Sequence, residues 1–223
     1  MGRNSETVIR LSPSTAEISV EQYKDGVVCY KTVSPESLMN CFWESRLQSE
    51  VYPSGFLPEH CIAVNVGKEH RWYFVCCPQR FENISYFGKE YEHFPLPRLV
   101  FGFCRETETG TVCQVRLCVV SEGRLSGDSP TFHYPFSNLY GEGRVCIGRN
   151  TLPVYKDPSK LHTLAGYILR MPNNNDNYSA ANNRLKLQYR GLLEHLKDKD
   201  PSYYYSDILI PDGKTLGDFI LKA

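Results

Sequence analysis

The sequence predicts an α+β fold: an antiparallel meander sheet first, packing helices after it, and an extended loop between the two. Three observations predict it. Short apolar runs bounded by turn residues recur between residues 8 and 120, as successive strands require. Two stripes at helical spacing follow residue 157, each suited to covering a sheet. Between them, Thr131 to Pro153 is rich in turn formers and surrounds one cysteine, Cys146. Strands followed by helices is the α+β order.

Taken in order, Val8–Leu11 and Val27–Tyr30 are apolar runs, and the Asp25-Gly26 pair just before the second is a turn signal; together they predict an opening β-hairpin. Ser34 and Pro35 supply a cap and first turn for a helix carrying Leu38, Cys41 and Phe42, closed by Pro53-Ser54-Gly55. Cys61–Val66 and Trp72–Cys77, joined by polar residues 67–71, read as a second hairpin. The polar and aromatic stretch 78–94 carries no clear period. Pro95 and Pro97 then introduce a strand at Leu99–Cys104, and a turn at Glu106–Gly110 leads to Val112–Val120. In that last run Cys113, Val115, Leu117 and Val119 share one face, as in a half-buried strand.

Beyond the loop, Asp157-Pro158 caps a helix with Leu161, Leu164, Ala165 and Ile168 on one face, ending before Pro172. Asn173–Asn177 is a loop. A second helix carries Leu185, Tyr189, Leu192, Leu193 and Leu196. The tail holds Leu209-Ile210, a turn at Pro211-Asp212-Gly213, and a short segment with Leu216, Phe219 and Ile220. No repeat or long linker divides the chain. We expect a single domain over 1–223, with 1–55 as a hairpin-and-helix extension and 56–223 as the core.

The 223 residues are 41% hydrophobic, ample for a core. Twenty-five basic side chains balance 25 acidic ones, which argues against a dedicated nucleic-acid binder. No apolar stretch approaches membrane-spanning length and residues 1–6 show no signal-peptide core. Nine cysteines, an odd number, suit a reducing compartment with free thiols. The expectation is a cytoplasmic protein. No Cys-x-x-Cys spacing suggests a metal, the vicinal Cys76-Cys77 pair points to opposite faces of its strand, and no Gly-x-x-x-x-Gly-Lys run suggests nucleotide use. No metal or cofactor is expected.

The loop is the informative part. Gly141 and Gly143 flank Glu142 and permit backbone shapes that other residues resist. Asn138 stands eight positions before Cys146, and Gly143-Arg144-Val145 leads into the thiol. This segment resembles the active-site segment of ubiquitin-conjugating enzymes. There a His-Pro-Asn tripeptide precedes a Gly-x-(Ile/Val)-Cys-(Leu/Ile) run by the same distance. Asn138, Gly143, Val145, Cys146 and Ile147 match, and Tyr140 matches an aromatic sometimes found between them. Phe136 and Ser137 stand where the family has His and Pro, while His133 and Pro135 lie nearby, displaced.

A broader likeness is to the PRTRC system protein B family of bacteria, which is similar to a divergent branch of the same superfamily. Leu57-Pro58-Glu59, Trp72, Leu96-Pro97-Arg98 with Leu99-Val100-Phe101, Pro135 to Tyr140, Gly143 to Gly148, Pro153 and Thr215-Leu216-Gly217 carry it. The resemblance implies a ubiquitin-conjugating-enzyme-like fold, with Cys146 as the thioester-forming residue. It also implies three partners: a ubiquitin-like protein, an adenylating activating enzyme and a JAB-type metallopeptidase.

The chemistry asks for these residue types. A thiolate is nucleophilic near neutral pH and its thioester stays reactive toward amines. A side-chain amide such as Asn138 can donate to the oxyanion, a contribution of about 2.7–4 kcal/mol in a well-studied hydrolase. His133, or His162, could position a nucleophile or accept its proton. Arg144 and Arg149 could favour the thiolate electrostatically or, with Tyr140, meet an acidic partner surface. A free cysteine on its own is more often an inert core residue; the spacing to Asn138 and the glycine-rich flank argue otherwise. A non-catalytic module that keeps the fold and binds the same partners is the alternative, motivated by the displaced histidine and proline. A thiol hydrolase is a third possibility, without a recognisable nucleophile motif.

Overall fold

Strand pairing organises most of the backbone in a computed structural model, which describes residues 6–11, 17–24, 27–47 and 56–222. The chain divides into two units, 1–53 and 54–223.

In the first unit β1 (Glu6–Leu11), β2 (Ile18–Lys24) and β3 (Val27–Val33) form an antiparallel sheet in the order β1-β2-β3. A three-stranded sheet thus replaces the expected hairpin. β2 escapes a search for apolar runs because Ser19, Glu21, Gln22 and Lys24 make it polar. The helix α1 (Pro35–Leu47) begins as read: the Ser34 hydroxyl accepts from the Ser37 N–H at 3.1 Å, satisfying one orphan donor of the first turn. The Asp25-Gly26 turn and the Pro53-Ser54-Gly55 stop lie outside the described residues.

The second unit is built on a six-stranded sheet. Its strands are β4 (Cys61–Val66), β5 (His70–Cys77), β8 (Leu99–Glu106), β9 (Val112–Val120), β10 (Pro130–Phe132) and β11 (Pro211–Thr215). They run in the order β11-β10-β9-β8-β5-β4, all pairs antiparallel. A separate hairpin, β6 (Arg80–Tyr86) with β7 (Lys89–Leu96), occupies the stretch that has no sequence period.

The central strands are buried on both faces, so they read as apolar runs rather than alternations. Tyr73, Val75, Cys77, Phe101, Phe103, Val115, Leu117 and Val119 enter the main core together with residues of α2 (His162–Leu169) and α3 (Tyr189–Leu196). The opposite face buries Phe74, Cys76, Val100, Cys118 and Val120 against Leu216 and Phe219 of α4 (Leu216–Leu221). Cys76 and Cys77 therefore do point to opposite faces. Cys113 does not share the buried face of Val115: it is exposed. The register shifts there, with Cys104 opposite Gln114 and Arg105 opposite Val112, so Cys113 is the extra residue of a bulge.

Both expected helices after the loop exist, with altered starts. Asp157 caps a short 3-10 turn (Pro158–Lys160), its carboxylate accepting from Ser159 N–H at 2.9 Å, and α2 follows. The stripe of α3 loses Leu185, because Lys186 takes φ 52° and the fully buried Asn183 side chain ties the preceding loop to Leu187. The Pro211-Asp212-Gly213 turn is the start of the edge strand β11, where proline at the first position sacrifices no ladder bond.

Candidate functional site

The eight-residue interval between Asn138 and Cys146 is the span of a miniature hairpin. Cys146 N–H donates to the Asn138 carbonyl at 2.8 Å, Leu139 bridges Val145, and Tyr140 N–H donates to the Arg144 carbonyl at 2.9 Å. Gly143 N–H donates back to the Tyr140 carbonyl at 2.8 Å and closes the turn. The returning arm is laid on β9: Leu117 N–H donates to the Gly143 carbonyl at 2.8 Å, and Val145 N–H donates to the Val115 carbonyl at 2.9 Å. Val145 is buried in the main core, which leaves its neighbour Cys146 half-buried.

Gly143 is required twice over. Its φ is +81°, and a Cβ there would meet the Leu117 carbonyl oxygen at 3.0 Å. Only glycine combines that backbone with that approach.

The leading arm is held from behind by different residues. Phe136, at 3% exposure, packs edge-on against Phe94, Tyr134 and Tyr204. Ser137 donates its hydroxyl to the Asn173 side-chain carbonyl at 3.1 Å, and Asn173 donates from its backbone N–H to the Ser85 carbonyl at 2.9 Å. Tyr86 donates to the Asn175 side chain at 2.8 Å. The asparagine-rich loop thereby clamps the 133–153 segment to the β6–β7 hairpin. Phe136 and Ser137 anchor the loop by ring packing and a hydroxyl, in the positions where the resemblance has histidine and proline.

Asn138 adopts φ 63°, a left-handed backbone that asparagine tolerates better than most residues. Its side-chain amide donates to the Pro172 carbonyl at 3.1 Å and its backbone N–H to the Asp176 carbonyl at 3.4 Å. The amide's second N–H makes no hydrogen bond among the described residues.

The paired backbone puts Tyr140 and Arg144 directly opposite one another, with Cys146 diagonal to Tyr140 on the same face. The Tyr140 hydroxyl donates to Cys146 Sγ at 3.4 Å, and the Arg144 guanidinium lies over the Tyr140 ring at 4.2 Å. Arg144 also meets Glu142 at 3.6 Å. The bond to Cys146 pushes the Tyr140 hydroxyl above its ordinary pKa, because a tyrosinate beside a thiolate is disfavoured.

None of the other residues singled out in the sequence hydrogen-bonds the thiol among the described residues. His133 is exposed; its backbone N–H donates to the Ile210 carbonyl at 3.0 Å, and no hydrogen bond joins it to Cys146 among the described residues. It lines a cavity of about 340 Å³ with Arg116, Tyr134, Tyr140, Asn177 and Phe219. His162 turns Nδ1 to the Ser159 carbonyl at 2.9 Å and Nε2 toward Glu59 at 4.0 Å. Arg149 is exposed beyond Gly148. Sequence reasoning missed the Tyr140–Cys146 contact and the Pro172 partner of Asn138. The first was detectable: pairing Asn138 with Cys146 sets residue 140 on the face of residue 146.

A mixed α/β chain with mostly antiparallel sheets and few helices is compatible with the ubiquitin-conjugating class of fold. The model of prokaryotic E2 family D matches residues 36–200, and the chain belongs to that family, with a ubiquitin-conjugating-like role at the family level. No curated protein and no solved structure matches the chain. Among the described residues no helix is long and apolar enough to cross a membrane.

Proposed function

We propose that the protein is a carrier of a ubiquitin-like protein, with Cys146 as the thiol that holds it. The observation that supports this most is the hairpin that sets Asn138 across from a half-buried Cys146 in a family D chain. The Cys146 thiolate attacks the carbonyl of a ubiquitin-like C-terminus already held as a thioester on an adenylating activating enzyme. The new C–S bond forms as the old one breaks, and the activating enzyme's sulfur leaves as thiolate. A neutral amine on the target then attacks, the C–N bond forms as the C–S bond breaks, the nitrogen's surplus proton passes to solvent, and Cys146 leaves as thiolate.

Asn138 supports the oxyanion of that second step through its second amide N–H, while the bond to Pro172 orients the amide. His133, on the cavity wall, serves the incoming nucleophile, and the exposed Arg144 and Arg149 meet the acidic partner surface. We further assign the chain to the PRTRC system protein B type, acting in the cytoplasm beside a JAB-type metallopeptidase. The conjugating domain would then use residues 56–223 as its core and 1–55 as an extension.

A second reading is a binding module of the same fold that never forms the adduct. The engaged Asn138 amide, and the lack of a hydrogen bond between His133 and Cys146 among the described residues, favour it. Co-expression with the ubiquitin-like and activating partners, acid quench and electrophoresis without reductant separate the two. A dithiothreitol-sensitive adduct absent from Cys146→Ala supports the carrier. Bound, active partners with no adduct support the module.

A further inference from the structure

We propose that Tyr140 is a catalytic residue, whose hydroxyl donates a hydrogen bond to the Cys146 sulfur and stabilises the thiolate. The inference rests on Cys146 being the reactive thiol of the proposed function. The geometry is specific: the hydroxyl stands 3.4 Å from Sγ, and cross-strand pairing places both side chains on one face of the 138–146 hairpin. No other side chain hydrogen-bonds Sγ among the described residues. Donation from a phenol to sulfur is worth little while the sulfur is a neutral thiol, a weak acceptor, and much more when it is an anion. The bond therefore favours ionisation.

Arg144 strengthens the arrangement from the other side of the ring. Its guanidinium at 4.2 Å from the centroid draws on the ring's electron density, which makes the phenol a stronger donor. The remaining charges around the pair are accounted for. Glu142 meets Arg144 at 3.6 Å, and its backbone carbonyl accepts from the Arg116 guanidinium of β9 at 3.2 Å. Asp176 of the asparagine-rich loop accepts from the Asn174 side chain at 2.8 Å. Arg149 is exposed further along the chain. Among the described residues no ammonium, imidazole or guanidinium hydrogen-bonds Sγ, so the phenol is the group positioned to hold the anion. This assigns Tyr140 to the sulfur itself, where the sequence suggests only a partner contact, and gives the chain an activating group independent of the displaced histidine.

The test is the pH profile of Cys146 alkylation by iodoacetamide, followed by peptide mass spectrometry in the full chain. Tyr140→Phe keeps the ring under Arg144 and removes only the donor. We expect the Cys146 midpoint to rise by about one unit, since a hydrogen bond to a charged group is lost. Alkylation well below the midpoint then slows about tenfold, and the rates converge at high pH. The exposed Cys113 on β9 is the internal reference, with an unmoved profile. Arg144→Gln shifts Cys146 in the same direction by less.

A Tyr140→Phe profile that superimposes on the wild type overturns the proposal. So does faster labelling at every pH, which would mean that the tyrosine merely shields the thiol. The outcome is separable from the carrier reading: a shifted profile in a protein that never forms a thioester supports Tyr140's role and removes the carrier function.

Discussion

Replacing the loop glycines one at a time tests whether the 138–146 hairpin is docked on β9 as described. Gly143 has φ +81° and a would-be Cβ contact of 3.0 Å with the Leu117 carbonyl; Gly148 has φ +56° and open space; Gly141 has neither constraint. An L-residue in left-handed backbone costs about 1–2 kcal/mol. Crowding against a backbone carbonyl that is itself fixed in a strand adds about 1 kcal/mol at the low end of overpacking. Gly143→Ala is therefore expected to lose about 2–3 kcal/mol, which lowers the melting temperature by roughly 5–10 °C in a chain of this size. Gly148→Ala loses only the backbone term, about 1 kcal/mol. Gly141→Ala stays within about 0.5 kcal/mol, as surface changes do.

Thermal unfolding by circular dichroism gives the ranking. Hydrogen exchange of the Leu117 amide, which donates to Gly143, gives the local effect. Equal destabilisation by Gly141→Ala and Gly143→Ala would refute the docking.

Other outcomes follow from the packing and the titrations. Phe136→Ala, which empties a site ringed by Phe94, Tyr134 and Tyr204, is expected to cost about 3–5 kcal/mol in urea unfolding. Glu194 is held down to about 2 by Lys89, then by Tyr91 and Lys197. Its folded pKa is below its unfolded one, so its contribution is present above the ordinary glutamate pKa and lost as pH falls toward about 2. The unfolding midpoints of wild type and Glu194→Gln should differ above that window and converge at its acid end. Burial pushes Cys77 to about 11, Cys104 to about 12 and Cys118 well above the usual thiol value. Alkylation of the folded protein near neutral pH should therefore mark the exposed Cys113 long before these three, which react together only on unfolding.

The candidate site was more legible than parts of the sheet, for physical reasons. The Asn138–Cys146 interval is fixed by hairpin geometry and Gly143 by sterics, so both survive as sequence signals. The β6–β7 hairpin left none: its two-residue turn is Phe87-Gly88, with Phe87 at φ 47°, where turn chemistry favours Asn or Asp. A register shift between Glu82 and Ile84, with His93 at φ 51°, also breaks the alternation of buried residues. Cys113 was misplaced because a bulge is invisible to a period-two pattern. Leu185 fits the helical stripe by spacing, and the positive φ of Lys186 with the buried Asn183 network excludes it from α3. Links across the chain, such as Ser137 to Asn173 and Asn138 to Pro172, depend on tertiary proximity that no local pattern encodes.

The most direct test of the account is the intact mass of the protein after one turnover with its ubiquitin-like partner, the activating enzyme and ATP. The carrier reading predicts an added mass of the ubiquitin-like protein less one water, located on the Cys146 peptide, removed by dithiothreitol, and converted to a reductant-resistant ester in Cys146→Ser. An adduct that persists in Cys146→Ala, or no adduct with partners shown to be active and bound, would contradict it.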